Sequence, residues 1–119
     1  MNTTEVVIYG IPNCDSIKKT IDWLNENQIT FHFHNYKKLG IEKSTLKKWC
    51  MLVGWEKLLN KKGTTWKKIQ PEYQDVEINE AIAIEIMLQN NSIIKRPVVA
   101  FNNKLLVGFN ENELYHFFK

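Results

Sequence analysis

The stretch Val6-Val7-Ile8-Tyr9-Gly10-Ile11-Pro12-Asn13-Cys14-Asp15-Ser16-Ile17-Lys18-Lys19 decides how the rest of the chain is read. Its first four residues form a short apolar, β-branched run, the pattern of a central strand covered on both faces. Gly10 and Pro12 close that strand, and the turn through Asn13 is too polar and too restricted to be packing filler. From Asp15 the period changes. Ile17, Ile21 and Leu24 fall at i, i+4 and i+7, with Lys18, Lys19, Asp22 and Glu26 between them and polar residues over 25–28. This spacing predicts an amphipathic helix of about three turns. Cys14 therefore stands where a buried strand turns into a helix.

Outward from there, residues 30–34 alternate again, with Phe31 and Phe33 on one side, which predicts a second strand. A strand joined to the next through a helix favours parallel pairing. Ser44 opens a helical stretch through Leu46, Trp49, Met51, Leu52 and Val53 to Gly54, and 55–59 add another turn. Residues 60–65 read as a polar loop, and 76–90, apolar at most positions besides Asn79, Glu80, Glu85 and Gln89, as one well-buried helix. Pro97 introduces a strand over 98–101, Asn102 and Asn103 make a hairpin turn, and 104–107 return antiparallel. Leu114, Phe117 and Phe118 form the apolar side of a short last helix. The order is a βαβ half, a helical insertion and a ββα half. It predicts an α/β, thioredoxin-like, four-stranded mixed sheet in a single domain, 1–119, with the insertion at about 41–90.

Composition narrows the function classes. A chain of 119 residues, 44% hydrophobic and 24% charged, is of the size and balance that fold around one core. The net charge is only +3, and the lysines are scattered in pairs rather than gathered in a block, so a nucleic-acid partner is not implied. No segment approaches the roughly 20 apolar residues of a membrane helix, and no basic start leads into a long apolar stretch. A cytoplasmic protein without a membrane partner is the expectation. Two cysteines, Cys14 and Cys50, would then stay reduced unless one is catalytic. His32 and His34 share one strand face, but two ligands do not make a metal site, so neither a metal nor a bound cofactor is expected.

A cysteine attacks as its thiolate, and the first turn of a helix favours an anion through its unpaired N–H groups and the dipole. Cys14 has that position. Lys18, one turn on, adds positive charge on the same face, whereas Asp15 opposes the anion. The plain alternative is a small buried hydrophobe, which most free cysteines are. Ile17 occupies the place where a Cys-x-x-Cys pair would put its second sulfur, so Cys14 has no local resolving partner. Cys50, beside Trp49, reads as packing.

The string Tyr9-Gly-Ile-Pro-Asn-Cys14-Asp-Ser-Ile-Lys-Lys19 resembles the active-site signature of the YffB branch of the arsenate reductase-like (ArsC) family. Gly54-Trp-Glu56 with Leu58-Leu-Asn-Lys-Lys-Gly-Thr-Thr-Trp66, and Ile94-Lys-Arg-Pro-Val98, are similar to two further family blocks in the same order. The resemblance implies a thioredoxin-like fold with Cys14 as nucleophile, a cis proline at Pro97 facing it, and Arg96 binding an oxyanion or stabilising the thiolate. Asn13, Lys18, Arg96, Pro97, Lys61 and Lys62 are the corresponding candidates for binding substrate or glutathione. Arg96 is the only arginine, whereas the family's arsenate reductases converge several on the cysteine. The resemblance therefore implies a monothiol reductase of a small disulfide or oxyanion, with glutathione as co-substrate. Its alternative is a module like the Spx regulators of the same superfamily, which contact RNA polymerase. A third is a family member that has kept the fold without turnover.

Overall fold

The computed structural model describes residues 5–118. The chain divides into two compact units, one formed by the residues through Leu39 together with those from Arg96 onward, the other by Gly40–Lys95. The second unit occupies the place of the expected helical insertion.

The first unit is built on β1 (Val6–Gly10), β2 (Phe31–Asn35), β3 (Val98–Phe101) and β4 (Lys104–Val107) in the order β2-β1-β3-β4. β1 pairs parallel with β2, from Val6 opposite Phe31 to Gly10 opposite Asn35, and antiparallel with β3; β3 pairs antiparallel with β4. The sheet is thus mixed and has the thioredoxin-like arrangement. β1 is central, as its apolar run predicts. Its two faces are covered unequally: Val6, Ile8 and Gly10 are buried, while Val7 and Tyr9 are only half-buried. Asn102 and Asn103 form the hairpin between β3 and β4, both at positive φ, a conformation that asparagine tolerates better than most residues.

Helix α1 (Asp15–Glu26) connects β1 to β2. Its apolar stripe buries Ile17 and Leu24 against Ile8, with Ile21, Phe31, Phe33 and Phe118 packed around them. Gly10 makes that approach possible, since a Cβ there would overlap the side chain of Ile17. Helix α2 (Tyr36–Leu39) follows β2 without a break, and Asn35 starts it by accepting from the backbone N–H of Lys37 and Lys38. Helix α7 (Glu111–Phe117) is N-capped by Asn110 and packs against β4.

The second unit contains α3 (Lys43–Val53), α4 (Trp55–Leu58), α5 (Thr64–Ile69) and α6 (Glu80–Gln89). Leu46, Trp49, Leu58, Trp66, Ile84, Ile86 and Met87 are buried. Two sequence expectations need correction here. The helix read over 76–90 begins only at Glu80, because the Asn79 side chain accepts from the Ile82 N–H and caps it there, leaving 76–79 outside the helix. The polar loop read over 60–65 ends at Gly63. Thr64 already belongs to α5, which buries Trp66 and runs into a 3-10 turn over Gln70–Tyr73. Among the described residues, no helix is long and apolar enough to cross a membrane.

Candidate functional site

Cys14 is the N-cap of α1. Asn13 precedes it in the left-handed region at φ 62, which turns the chain out of β1, and the Cys14 carbonyl accepts the first helical hydrogen bond from Lys18 N–H at 3.0 Å. The Cys14 side chain makes no capping hydrogen bond of its own, but it lies against the unpaired N–H groups of the first turn. Cys14 is half-exposed and lines an open depression, so it is only partly desolvated.

Burial alone would raise the Cys14 thiol. The Ser16 hydroxyl, the Ile17 N–H, the Arg96 guanidinium and the Ser16 N–H outweigh that and hold it at about 7, against an ordinary 9.0. Ser16 Oγ lies 3.2 Å from Cys14 Sγ and 3.4 Å from the Arg96 carbonyl oxygen. The single hydroxyl proton can serve only one of them at a time. With the thiol protonated, Ser16 donates to the carbonyl and accepts from the thiol; with the thiolate, it can donate to sulfur. The hydroxyl thus has a partner in both protonation states.

Arg96 reaches the sulfur from the segment before β3. Burial opposes its charge, yet hydrogen bonds to Cys14 and to Tyr36 more than compensate and hold the guanidinium firmly protonated. Tyr36, the first residue of α2, is fully buried, and burial pushes its phenol up although the neighbouring arginine pulls it down. A planar fork with one donor on sulfur and another on a buried phenol is fixed in orientation, which a lysine could not match. The Arg96-Pro97 peptide is cis, and the Pro97 carbonyl accepts from Gly108 N–H at 2.8 Å.

Asn13, Cys14, Lys18, Arg96 and Pro97 all belong to the first unit. Asn13 and Lys18 line an exposed depression beside Cys14, and Asp15 stands at the same rim. The groups that hold the thiolate are those of Ser16, Ile17 and Arg96; the Lys18 ammonium considered for that task is not among them, and Lys18 lines the depression. Lys61 and Lys62 belong to the second unit. The Lys61 ammonium lies 5.6 Å from the Trp55 ring centroid and 5.5 Å from that of Trp66, and the Lys62 N–H donates to Asn60 Oδ1 at 3.1 Å. Ser16 and Tyr36 escaped the sequence reading. A serine two residues after a helix-capping cysteine was a usable signal; a tyrosine distant in sequence from Arg96 was not.

Cys50 contrasts with Cys14. It is buried within α3, and burial, followed by the carboxylates of Glu80 and Glu56, pushes its thiol up to about 11. Both cysteines are free.

A family model described as the ArsC family matches residues 9–117. A solved YFFB protein is 42% identical, covering 93% of this chain and 96% of its own, with a TM-score of 0.88. An arsenate reductase (ArsC) related protein from Brucella melitensis is 40% identical, covering 100% and 98% of the two chains, with a TM-score of 0.76. The global transcriptional regulator Spx of Lactiplantibacillus plantarum is 28% identical over 116 residues, 94% of this chain and 85% of its own.

Proposed function

The chain belongs to the ArsC family, and from that premise we propose that it is a cytoplasmic monothiol oxidoreductase in which Cys14 is the nucleophile and glutathione the reductant. The observation that carries this reading is the convergence of the Ser16 hydroxyl, at 3.2 Å, the first N–H groups of α1 and the Arg96 guanidinium on the Cys14 sulfur, which hold its thiol at about 7. A sulfur so placed is substantially thiolate at neutral pH while keeping useful nucleophilicity.

In the proposed cycle the Cys14 thiolate attacks an oxidised sulfur or an oxyanion, with Arg96 and the N–H groups of α1 stabilising negative charge on the reacting atoms. For a glutathione mixed disulfide, the Cys14-to-sulfur bond forms as the substrate S–S bond breaks, and the leaving thiolate takes a proton from solvent. Glutathione, as thiolate, then attacks the Cys14 mixed disulfide, giving glutathione disulfide and restoring Cys14. An external thiol is needed because Ile17 leaves no local second cysteine and the Cys50 thiol is too poorly ionised to be an effective resolving group. Asn13 and Lys18, at the rim, are proposed to contact the substrate, with Pro97 shaping the site.

The test is glutathione-dependent reduction of hydroxyethyl disulfide, followed through regeneration of glutathione. Turnover that survives Cys50→Ser and vanishes in Cys14→Ser supports the reading. The similarity to Spx along the chain favours one competing reading, a regulator that contacts RNA polymerase. No turnover, together with a stable complex with purified polymerase, would establish that alternative.

A further inference from the structure

Next to the Cys14 sulfur lies a depression of about 430 Å³, formed along α1 and the adjoining strand. Pro12, Ile17, Ile21 and Phe33 form its apolar lining beside Cys14, and its polar lining is Asn13, Asp15 and Lys18. Ile17 belongs to the core that Gly10 lets α1 approach, so the floor is held by packing; Ile21 and Phe33 are only half-buried and present apolar surface to a ligand. The volume falls in the range of small-molecule pockets, and an apolar wall with few polar groups is what such pockets have. A four-oxygen anion would leave that wall unused. Its polar partners lie elsewhere around the sulfur, at Arg96, Ser16 and the N–H groups of α1.

We infer that this depression receives the carbon group of the thiol released from the substrate, so that the preferred substrates are glutathione mixed disulfides of small apolar thiols. The inference rests on the thiol-transfer reading and specifies its substrate class. In the reaction R–S–S–G plus GSH gives R–SH plus G–S–S–G, Cys14 attacks the glutathione sulfur and the R–S sulfur departs in line. R is seated between Ile21 and Phe33 as its thiolate leaves and takes up a proton. A second glutathione then attacks the Cys14 mixed disulfide, so glutathione supplies both electrons and Cys14 returns unchanged. Apolar contact made by R lowers the barrier to the extent that it persists in the transition state.

The experiment compares kcat/KM for glutathione mixed disulfides with R as hydroxyethyl, propyl and hexyl. Each value is divided by the rate at which free glutathione attacks the same disulfide, which removes differences in leaving-group chemistry. The expected result is a rise of about tenfold or more from hydroxyethyl to hexyl. Ile21→Ser should flatten the series. Ile21→Phe, which fills the depression while keeping an apolar side chain, should turn the preference toward the shorter groups even if Ile21→Ser folds poorly. A flat series with turnover intact overturns this inference alone. Failure to turn over any member, the hydroxyethyl compound included, overturns the thiol-transfer reading and this inference with it.

Discussion

The two cysteines show how strongly backbone position determines side-chain chemistry. Cys14 caps a helix, half-exposed, and donors converge on its sulfur; Cys50 lies inside a helix, buried, with carboxylates as its electrostatic neighbours. The first is held at about 7 and the second pushed to about 11. Burial raises both, so desolvation does not distinguish them. The difference is that Cys14 has hydrogen bonds that favour the anion, whereas Glu80 and Glu56 disfavour it at Cys50.

The largest effect should come from removing the reactive member of the pair. Cys14→Ser should abolish thiol transfer and rapid alkylation at neutral pH, whereas Cys50→Ser should leave both nearly unchanged; the reverse pattern, read by mass spectrometry, would break the comparison. Next comes Arg96→Met, which takes the guanidinium from the sulfur and should move the Cys14 titration upward toward 9.0. Loss of a charged hydrogen bond there should slow thiol transfer at pH 7 by about tenfold. Arg96→Lys should recover only part of it, because the planar fork is gone.

Tyr36→Phe is expected to act in the same direction but less strongly, since it frees Arg96 without removing it. It also leaves a guanidinium donor short of a buried partner, a destabilisation of about 1–3 kcal/mol that denaturant unfolding would detect. Unchanged stability and an unchanged Cys14 titration would show that the phenol does not position the arginine.

A smaller effect, opposite in sign for the two cysteines, should appear in thermal melts against pH. Between about 7 and 9 the unfolded chain holds more protons on Cys14 than the folded one does, so Cys14 makes stability rise with pH. Between 9 and about 11 the folded chain keeps the Cys50 proton that the unfolded chain has lost, so Cys50 makes stability fall. Cys14→Ser should flatten the lower slope and Cys50→Ser the upper; no change in either slope would contradict the assigned titrations.

Much of this contrast was legible in the amino-acid order. The change of period at Asp15 placed Cys14 between β1 and α1, and the run through Trp49 placed Cys50 inside a helix. The sheet followed from the short β-branched runs of β1 and β3, the alternation of Phe31 and Phe33 in β2 and the Asn102-Asn103 turn. The start of α6 was not legible from hydrophobicity alone, because Val76 and Ile78 continue the apolar run and only the Asn79 cap decides the boundary. Helix α5 was hidden because its first residues, Thr64 and Thr65, are weak helix formers whose helical state depends on burial of Trp66. At the site, Cys14 and Arg96 carried recognisable chemistry, whereas Tyr36 matters only through a contact that folding creates.

The most direct test of the central claim is the rate of iodoacetamide alkylation of Cys14 across pH, measured in the Cys50→Ser protein so that a single thiol reports. The account predicts a midpoint near 7, moved upward by Arg96→Met. A midpoint at or above 9, insensitive to Arg96, would contradict it and leave Cys14 an ordinary thiol in an ArsC-family fold.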